Sequence, residues 1–430
     1  MQKSDKGLSA NFIVVWVGQL ISSIGNGLTA FALGIYVFQL TNSAASYSMI
    51  ILFAFLPTFI LQPFGGTLSD RFDRRLMMII GDFGSALGLV FILLMMYSGF
   101  NDLWIIYAGV SFSAVFAAVQ IPAYKSSVTD LLDAAAYSKA SGLMQLSESS
   151  KYIISPIVAG VLLTFWDIKN LLIIDILSFI LAIFAVFVIK KNAAAVKPET
   201  AKQNFFGDFV SGFRYTFTHK GLIWLLFIIS LIKFFVGFLQ TLLGPMMLVI
   251  TDSETYGTSL TLMASGMLVS SLFIGVFSKS KKHLLILSVA LGFCGLFFAS
   301  LGISRNIILI IASGFLFFLS LPFVNTNLDV LIRRNVENEI QGRVWSNVSV
   351  ISQIGMVIAF GIAGFLADYV FNPLFEEGGM LASSLGKITG AGPGRGIAFI
   401  FFLSGIFILI ISFVIYRIKV IKALDTESQT

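Results

Sequence analysis

Glu148 and Lys151 lie three positions apart, which makes them neighbours on one helix face, and both fall inside an apolar stretch at about 140–164. Lys233 falls inside another, 222–249. Counting the helical rise, Glu148 is roughly 12 Å and Lys233 roughly 17 Å from the start of its stretch. A charge at the centre of a bilayer costs at least about 2.5–3.5 kcal/mol unless it is paired or wetted. Glu148, with Lys151 and Lys233 as charge partners, is therefore either a structural ion pair or a group that gains and loses a proton as its surroundings change. Asp175, near the outer end of the next stretch, is the reserve proton carrier. Its position closer to the surface predicts that it is less desolvated than Glu148. Asp82 and Asp329 lie nearer the inner ends of their stretches, where a snorkelling side chain or a structural pair accounts for them.

Uncharged polar residues recur in the same apolar stretches: Gln19, Asn26, Gln120, Gln145, Gln240, Asn325, Asn327 and Gln353. Helix–helix hydrogen bonds account for any one of them; together they are candidates to line a substrate cavity. Enzyme chemistry has no foothold. His219 and His283 fall in short basic segments and Cys294 is the only cysteine, so there is no zinc set, no Cys–His pair and no intramolecular disulfide. No G-x-x-x-x-G-K-[ST] phosphate loop is present. Neither a cofactor nor a metal nor a nucleic-acid partner is expected.

The elements that must hold these residues are membrane spans. Of 430 residues, 57% are apolar and 12% charged, against about 25% charged in an ordinary soluble domain. Twelve apolar stretches can be marked, at about 12–38, 46–68, 76–98, 103–124, 140–164, 171–189, 222–249, 257–278, 284–303, 306–331, 344–371 and 396–416. Each is close to the roughly 20 residues a spanning helix needs. The first is too long for a signal peptide and reads as a retained span. The expectation is an all-α membrane protein of twelve transmembrane helices, with a bundle at 1–189, a linker at 190–221 and a second bundle at 222–430. In the linker, Phe206, Phe209, Phe213 and Phe217 recur at helical spacing. Either a short helix on the inner membrane face or a plain linker fits them.

Charge sets the orientation. With the N-terminus inside, only Lys169, Arg305, Lys387 and Arg395 of the 28 lysines and arginines fall outside, and only Lys151 and Lys233 lie within spans. Both termini are then cytoplasmic, in a multi-pass protein of the cell membrane. The halves also resemble each other. Val158-Ala159-Gly160-Val161-Leu162 and Ile362-Ala363-Gly364-Phe365-Leu366 occupy equivalent places, as do Gly66-Thr67-Leu68-Ser69 and Gly275-Val276-Phe277-Ser278. That is how a parallel repeat looks in a transporter of two bundles.

The loop after the second stretch reads Gly66-Thr67-Leu68-Ser69-Asp70-Arg71-Phe72-Asp73-Arg74-Arg75. It resembles the G-x-L-a-D-r-x-G-r-k signature of the major facilitator superfamily, with Asp73 where that signature has its second glycine. The resemblance implies alternating access and a cytoplasmic latch. In it, Gly66, Asp70, Arg71, Arg74 and Arg75 meet the start of the eleventh span, near Val344, and part when the halves rock. Ser155-Pro156-Ile157-Val158-Ala159-Gly160 resembles the G-P-x-x-G-G part of the antiporter motif of the superfamily's drug exporters. Ser155 and Ala159 stand in for glycines there; a generic proline kink also accounts for the stretch. Met144-Gln145, Tyr152 to Pro156, Ile174-Asp175 and Gly390-Ala391-Gly392-Pro393-Gly394-Arg395-Gly396 are similar to the macrolide-efflux-type branch. That similarity implies proton-coupled export of amphipathic, macrolide-like compounds by a monomer whose partners are a small-molecule substrate, protons and the bilayer. A lysolipid flippase, a siderophore exporter, a nutrient importer and a non-transporting sensor are the alternatives on the same fold.

Overall fold

The computed structural model describes residues 8–133, 136–188, 205–277, 282–337 and 340–426. The first part of the expected linker, 190–204, lies outside them, as do Lys279, Lys281 and Ser278. The long apolar stretches become long helices: α1 (Ala10–Thr41), α2 (Ala44–Arg71), α3 (Arg74–Tyr97), α4 (Leu103–Leu131), α5 (Tyr137–Phe165), α6 (Ile168–Val188), α7 (Phe205–Thr218), α8 (Lys220–Leu248), α9 (Ser253–Phe277), α10 (His283–Leu301), α11 (Ile307–Arg334), α12 (Gln341–Leu366), the short α13 (Asn372–Phe375) and α14 (Gly386–Thr389), α15 (Arg395–Arg417) and α16 (Lys419–Thr426). A π-helical turn, Ala367–Phe371, continues α12 into α13.

Helix starts are fixed by side chains that accept from backbone N–H groups the helix itself leaves free. Ser9 accepts from Phe12 N at α1, Asp73 from Arg75 N at α3 and Asn306 from Ile308 N at α11. Eleven of the helices are long and apolar enough to cross a membrane. The helix missing from that set is α5, equally long at 29 residues but carrying Lys139, Gln145, Glu148 and Lys151. With it the expected twelve spans are all helices. Large apolar side chains such as Phe64, Phe165, Leu272 and Phe413 stand exposed, which suits lipid rather than water. The described part of the expected linker, 205–218, is helical: α7 packs on α12, and Phe213 stacks on Phe217 with ring centroids 4.3 Å apart.

The chain divides into two compact units. Unit 1 comprises residues 1–42, 49–200 and 253–258; unit 2 comprises 43–48, 201–252 and 259–430. Within unit 1, α1 packs on α5 and α6, and α3 on α4 and α6. Within unit 2, α8 packs on α12 and α15, and α10 on α11 and α15. Helix for helix this is the same pairing, so the faint sequence repeat is a repeat of topology. Two glycines make the point at atomic scale. A Cβ on Gly160 would lie 2.7 Å from Ser253 O and 3.1 Å from Glu254 Cα, while one on Gly364 would meet Ala44 O and Ala45 Cα. Equivalent glycines thus receive the first residues of equivalent helices, α9 in unit 1 and α2 in unit 2.

Unit 2 adds a bond set of its own. Asp368, in the π-helical turn, accepts from Ser43 Oγ at 2.7 Å, Ala44 N at 3.1 Å and Ala45 N at 2.8 Å. The carboxylate therefore caps the free N–H groups of α2 from a distant part of the chain, where negative charge also meets the positive helix end.

Candidate functional site

In unit 1 the polar residues form a connected chain across five helices. Gln120 Nε2 on α4 donates to Gln19 Oε1 on α1 at 2.6 Å, and Gln19 Nε2 donates to Asp82 Oδ2 on α3 at 3.0 Å. Asp82 is within electrostatic reach of Asp175 on α6, and Asp175 of Lys151 on α5. Lys151 Nζ in turn lies 3.2 Å from Glu148 Oε2. Sequence and packing together produce this chain. Glycines of α1 make room for it: a Cβ on Gly25 would lie 2.6 Å from Asp175 Oδ1, and one on Gly27 would strike the Ser155 hydroxyl. These two glycines carry no motif, and reasoning from the sequence passed over them.

The burial order corrects the expectation from depth. The Glu148 side chain is 50% exposed, whereas Asp175 is 0% exposed, with Oδ2 lacking a hydrogen-bond partner. Asp175 Oδ1 accepts from Ser178 Oγ at 3.1 Å. Position along a helix does not decide burial; the face does. Asp175 points at α1, and Glu148 lies on an open face of α5. Lys233, expected to partner Glu148, has Asp329 of α11 as a charge neighbour in its own unit.

The other candidates scatter. Gln145, Gln240 and Asn325 are exposed and Asn26 is half-buried. Gln353 Nε2 donates to Ser349 O of its own helix at 3.2 Å. Asn327 is buried and its Oδ1 accepts from His283 Nδ1 at 2.9 Å. His283 is thus a buried residue opening α10, not a loop residue, and Asn327 is committed to holding it. Among the described residues no cluster of His, Cys, Asp or Glu could hold a metal ion.

The signature loop acts inside unit 1. Asp73, the departure from the motif, caps α3 with its carboxylate, accepting from Arg75 N at 2.9 Å. Arg74 Nη1 reaches the end of α4, with Asp130 Oδ1 at 2.8 Å and Ser126 O at 2.9 Å. Arg75 Nη2 donates to Val186 O at the end of α6, 3.2 Å away. Asp70 and Arg71 are exposed, and a Cβ on Gly66 would meet open space. The antiporter-like stretch is a packing device in the same unit. Ser155 Oγ donates to Ile24 O of α1 at 2.9 Å. Pro156 and Ala159 are buried, and Gly160 receives the start of α9.

Comparison with known proteins adds the following. The family description Major Facilitator Superfamily matches residues 15–360. Macrolide efflux protein A of Streptococcus pyogenes is 27% identical over 370 residues, covering 84% of this chain and 90% of that protein. The protein of the same name from Enterococcus faecalis is 28% identical over 328 residues, covering 74% of this chain and 99% of its own length. Among solved structures, the nucleoside transporter NupG superposes with a TM-score of 0.72 at 13% identity, over 96% of this chain and all of that one. That likeness concerns the fold alone.

Proposed function

This chain belongs to the major facilitator superfamily and is a membrane transporter, and on that premise we propose that it exports amphipathic, macrolide-like compounds in exchange for protons. The observation that carries the coupling is the shared cation of unit 1: Lys151, paired with the accessible Glu148 and within reach of the buried Asp175. An exchanger needs a carboxylate that meets solvent and a means of making its charge state matter to the helices around it. Glu148 is the exposed carboxylate of the two. When it takes a proton, Lys151 is released to Asp175, and the balance of charge between α5 and α6 changes. The two relatives named for macrolide efflux support the substrate class, and the antiporter-like packing of Ser155 to Gly160 supports the direction.

The test is purified protein in liposomes with an imposed pH step, screened over macrolides, dyes and lysolipids with and without an uncoupler. Native protein is expected to accumulate a macrolide only while the gradient stands. Glu148→Gln, which keeps shape and removes titration, is expected to lose gradient-driven accumulation yet retain substrate binding and downhill exchange. Accumulation by Glu148→Gln at the native rate would remove Glu148 from the mechanism and leave Asp175.

A further inference from the structure

The turn leading into α15 in unit 2 meets two arginines, its own Arg395 and Arg305 from the α10–α11 connection, that no acid among the described residues pairs with. Arg395, the first residue of α15, is 2% exposed. Its Nη2 donates to Gly302 O at 2.8 Å, but its Nε is buried without a partner. Arg305 Nη2 donates to Ala391 O at 2.6 Å. The backbone of 389–396 wraps both guanidinium groups. A Cβ on Gly390 would lie 3.0 Å from Arg395 Nε, and one on Gly392 would lie 3.2 Å from Arg305 Nη2. Gly390, Gly392 and Gly394 have φ of 89°, 105° and 73°, a left-handed path that side chains resist.

Donors and positive charge predominate at this place; among the described residues the buried acceptor without a partner beside it is Asn372 Oδ1, next to Gly396. Gly394 is the N-cap of α15 and offers no side chain to accept from the first-turn N–H groups. Thr389 Oγ1, next to Gly390, is wholly buried and without a partner. Glu376 and Glu377, earlier in the same connection, are exposed, and among the described residues neither pairs with Arg305 or Arg395. The charge distribution is also unusual. Of the four basic residues that the lysine–arginine count puts on the outer side, three (Arg305, Lys387 and Arg395) fall in or beside this turn. A buried guanidinium beside a second cation and a positive helix end is costly, and a negative group supplied there lowers that cost.

We propose that this turn is a binding site for a phosphate-type oxyanion. The Arg395 Nε–H, the Arg305 guanidinium, the Thr389 hydroxyl and the first turn of α15 all donate toward it. The phosphate is supplied by the headgroup of an anionic phospholipid or by free phosphate in solution. The site draws only on residues of unit 2 and does not depend on the transport reading.

Two probes on the full-length protein separate the sources. In detergent, the melting temperature is followed against inorganic phosphate, with chloride at matched ionic strength as the control. In nanodiscs, it is followed against the fraction of phosphatidylglycerol in phosphatidylcholine. A saturable rise with phosphate identifies the free anion; a rise only with phosphatidylglycerol identifies the lipid. Arg305→Gln, an exposed change that leaves the fold intact, is expected to weaken the effective probe about tenfold. Arg395→Lys keeps the charge but loses Nε and is expected to weaken it as well. Lys169→Gln removes an outer-side cation of unit 1 and is expected to change nothing. The proposal is overturned if neither probe gives a saturable rise, if Arg305→Gln responds like the native protein, or if Lys169→Gln weakens the response equally.

Discussion

Lys151 serves two carboxylates at once, and the two stand in unlike surroundings. Its pair with Glu148 is half exposed, and such a pair contributes about 0–1 kcal/mol. Lys151→Met is therefore expected to leave the melting temperature of the detergent-solubilised protein within a few degrees of native while gradient-driven transport is lost. Undiminished transport in that variant would show that the cation is only structural. Asp70 makes a contrasting case. It is exposed, so Asp70→Asn is expected to leave abundance and stability unchanged; if the latch implied by the signature operates during transport, flux falls strongly. Flux at the native rate would reduce the loop to an anchor of topology. Which of these residues are ionisable, and which share a helix face, was legible from spacing alone. Which carboxylate is buried was not, because that depends on the glycines of a different helix. Gly25 and Gly27 decide how close α1 comes to Asp175 and Ser155, and nothing in the local pattern of α5 or α6 records it. His283 is hidden for a related reason. A residue at the edge of a basic segment reads as a loop, but Asn327, 44 positions on, draws it into the helix pack.

At the scale of elements, the loop between α2 and α3 explains its own departure from the signature. A glycine there would give a free turn; Asp73 gives a cap. Removing an N-cap acceptor costs about 1 kcal/mol when alanine replaces it, and only a few tenths when glycine does. Asp73→Ala is therefore expected to lower the melting temperature measurably and Asp73→Gly hardly at all, both with transport retained. Equal losses in the two variants would mean that the carboxylate acts on something other than α3. Span lengths and the twelvefold count could be read because apolar runs near 20 residues have few other uses. α5 is the instructive element. Its charges dilute the hydropathy signal that marks the other spans, and the same charges are the candidate coupling groups. A span that carries ionisable groups is the one that hydropathy marks least clearly. The linker left two readings open because four phenylalanines at helical spacing do not reveal what a helix would pack against; the partner of α7, α12, lies more than a hundred residues away in sequence.

For the whole molecule, the segments 43–48 and 253–258 matter most. Unit 2 is closed by residues from near the start of the chain, and unit 1 by residues from beyond its middle. At the first of these places the Asp368 carboxylate accepts three hydrogen bonds. Asp368→Asn removes the charge while keeping the shape, at an expected cost of about 1–3 kcal/mol, read as a lower melting temperature. Ser43→Ala removes one donor of three and is expected to shift the melting temperature less. An Asp368→Asn protein as stable as native would assign the closure to the glycine contacts alone.

Ser43 and Asp368 are 325 positions apart. A ribosome adding roughly 5–20 residues per second needs on the order of 16–65 s to cover that distance. For all of that time the Ala44 and Ala45 amides wait for the carboxylate, with Ser46 N capped locally, by Ser43 Oγ. Unit 1 waits for a shorter interval, until residues 253–258 emerge. Unit 1 is not a finished object when the first six spans have been made, because residues 253–258 are still to come, so a nascent chain stalled between the halves is expected to be a substrate for membrane proteases rather than a half-built transporter. Pulse-labelled chains truncated at position 240 should accordingly be degraded, and chains truncated at 270 should show a protease-resistant unit 1.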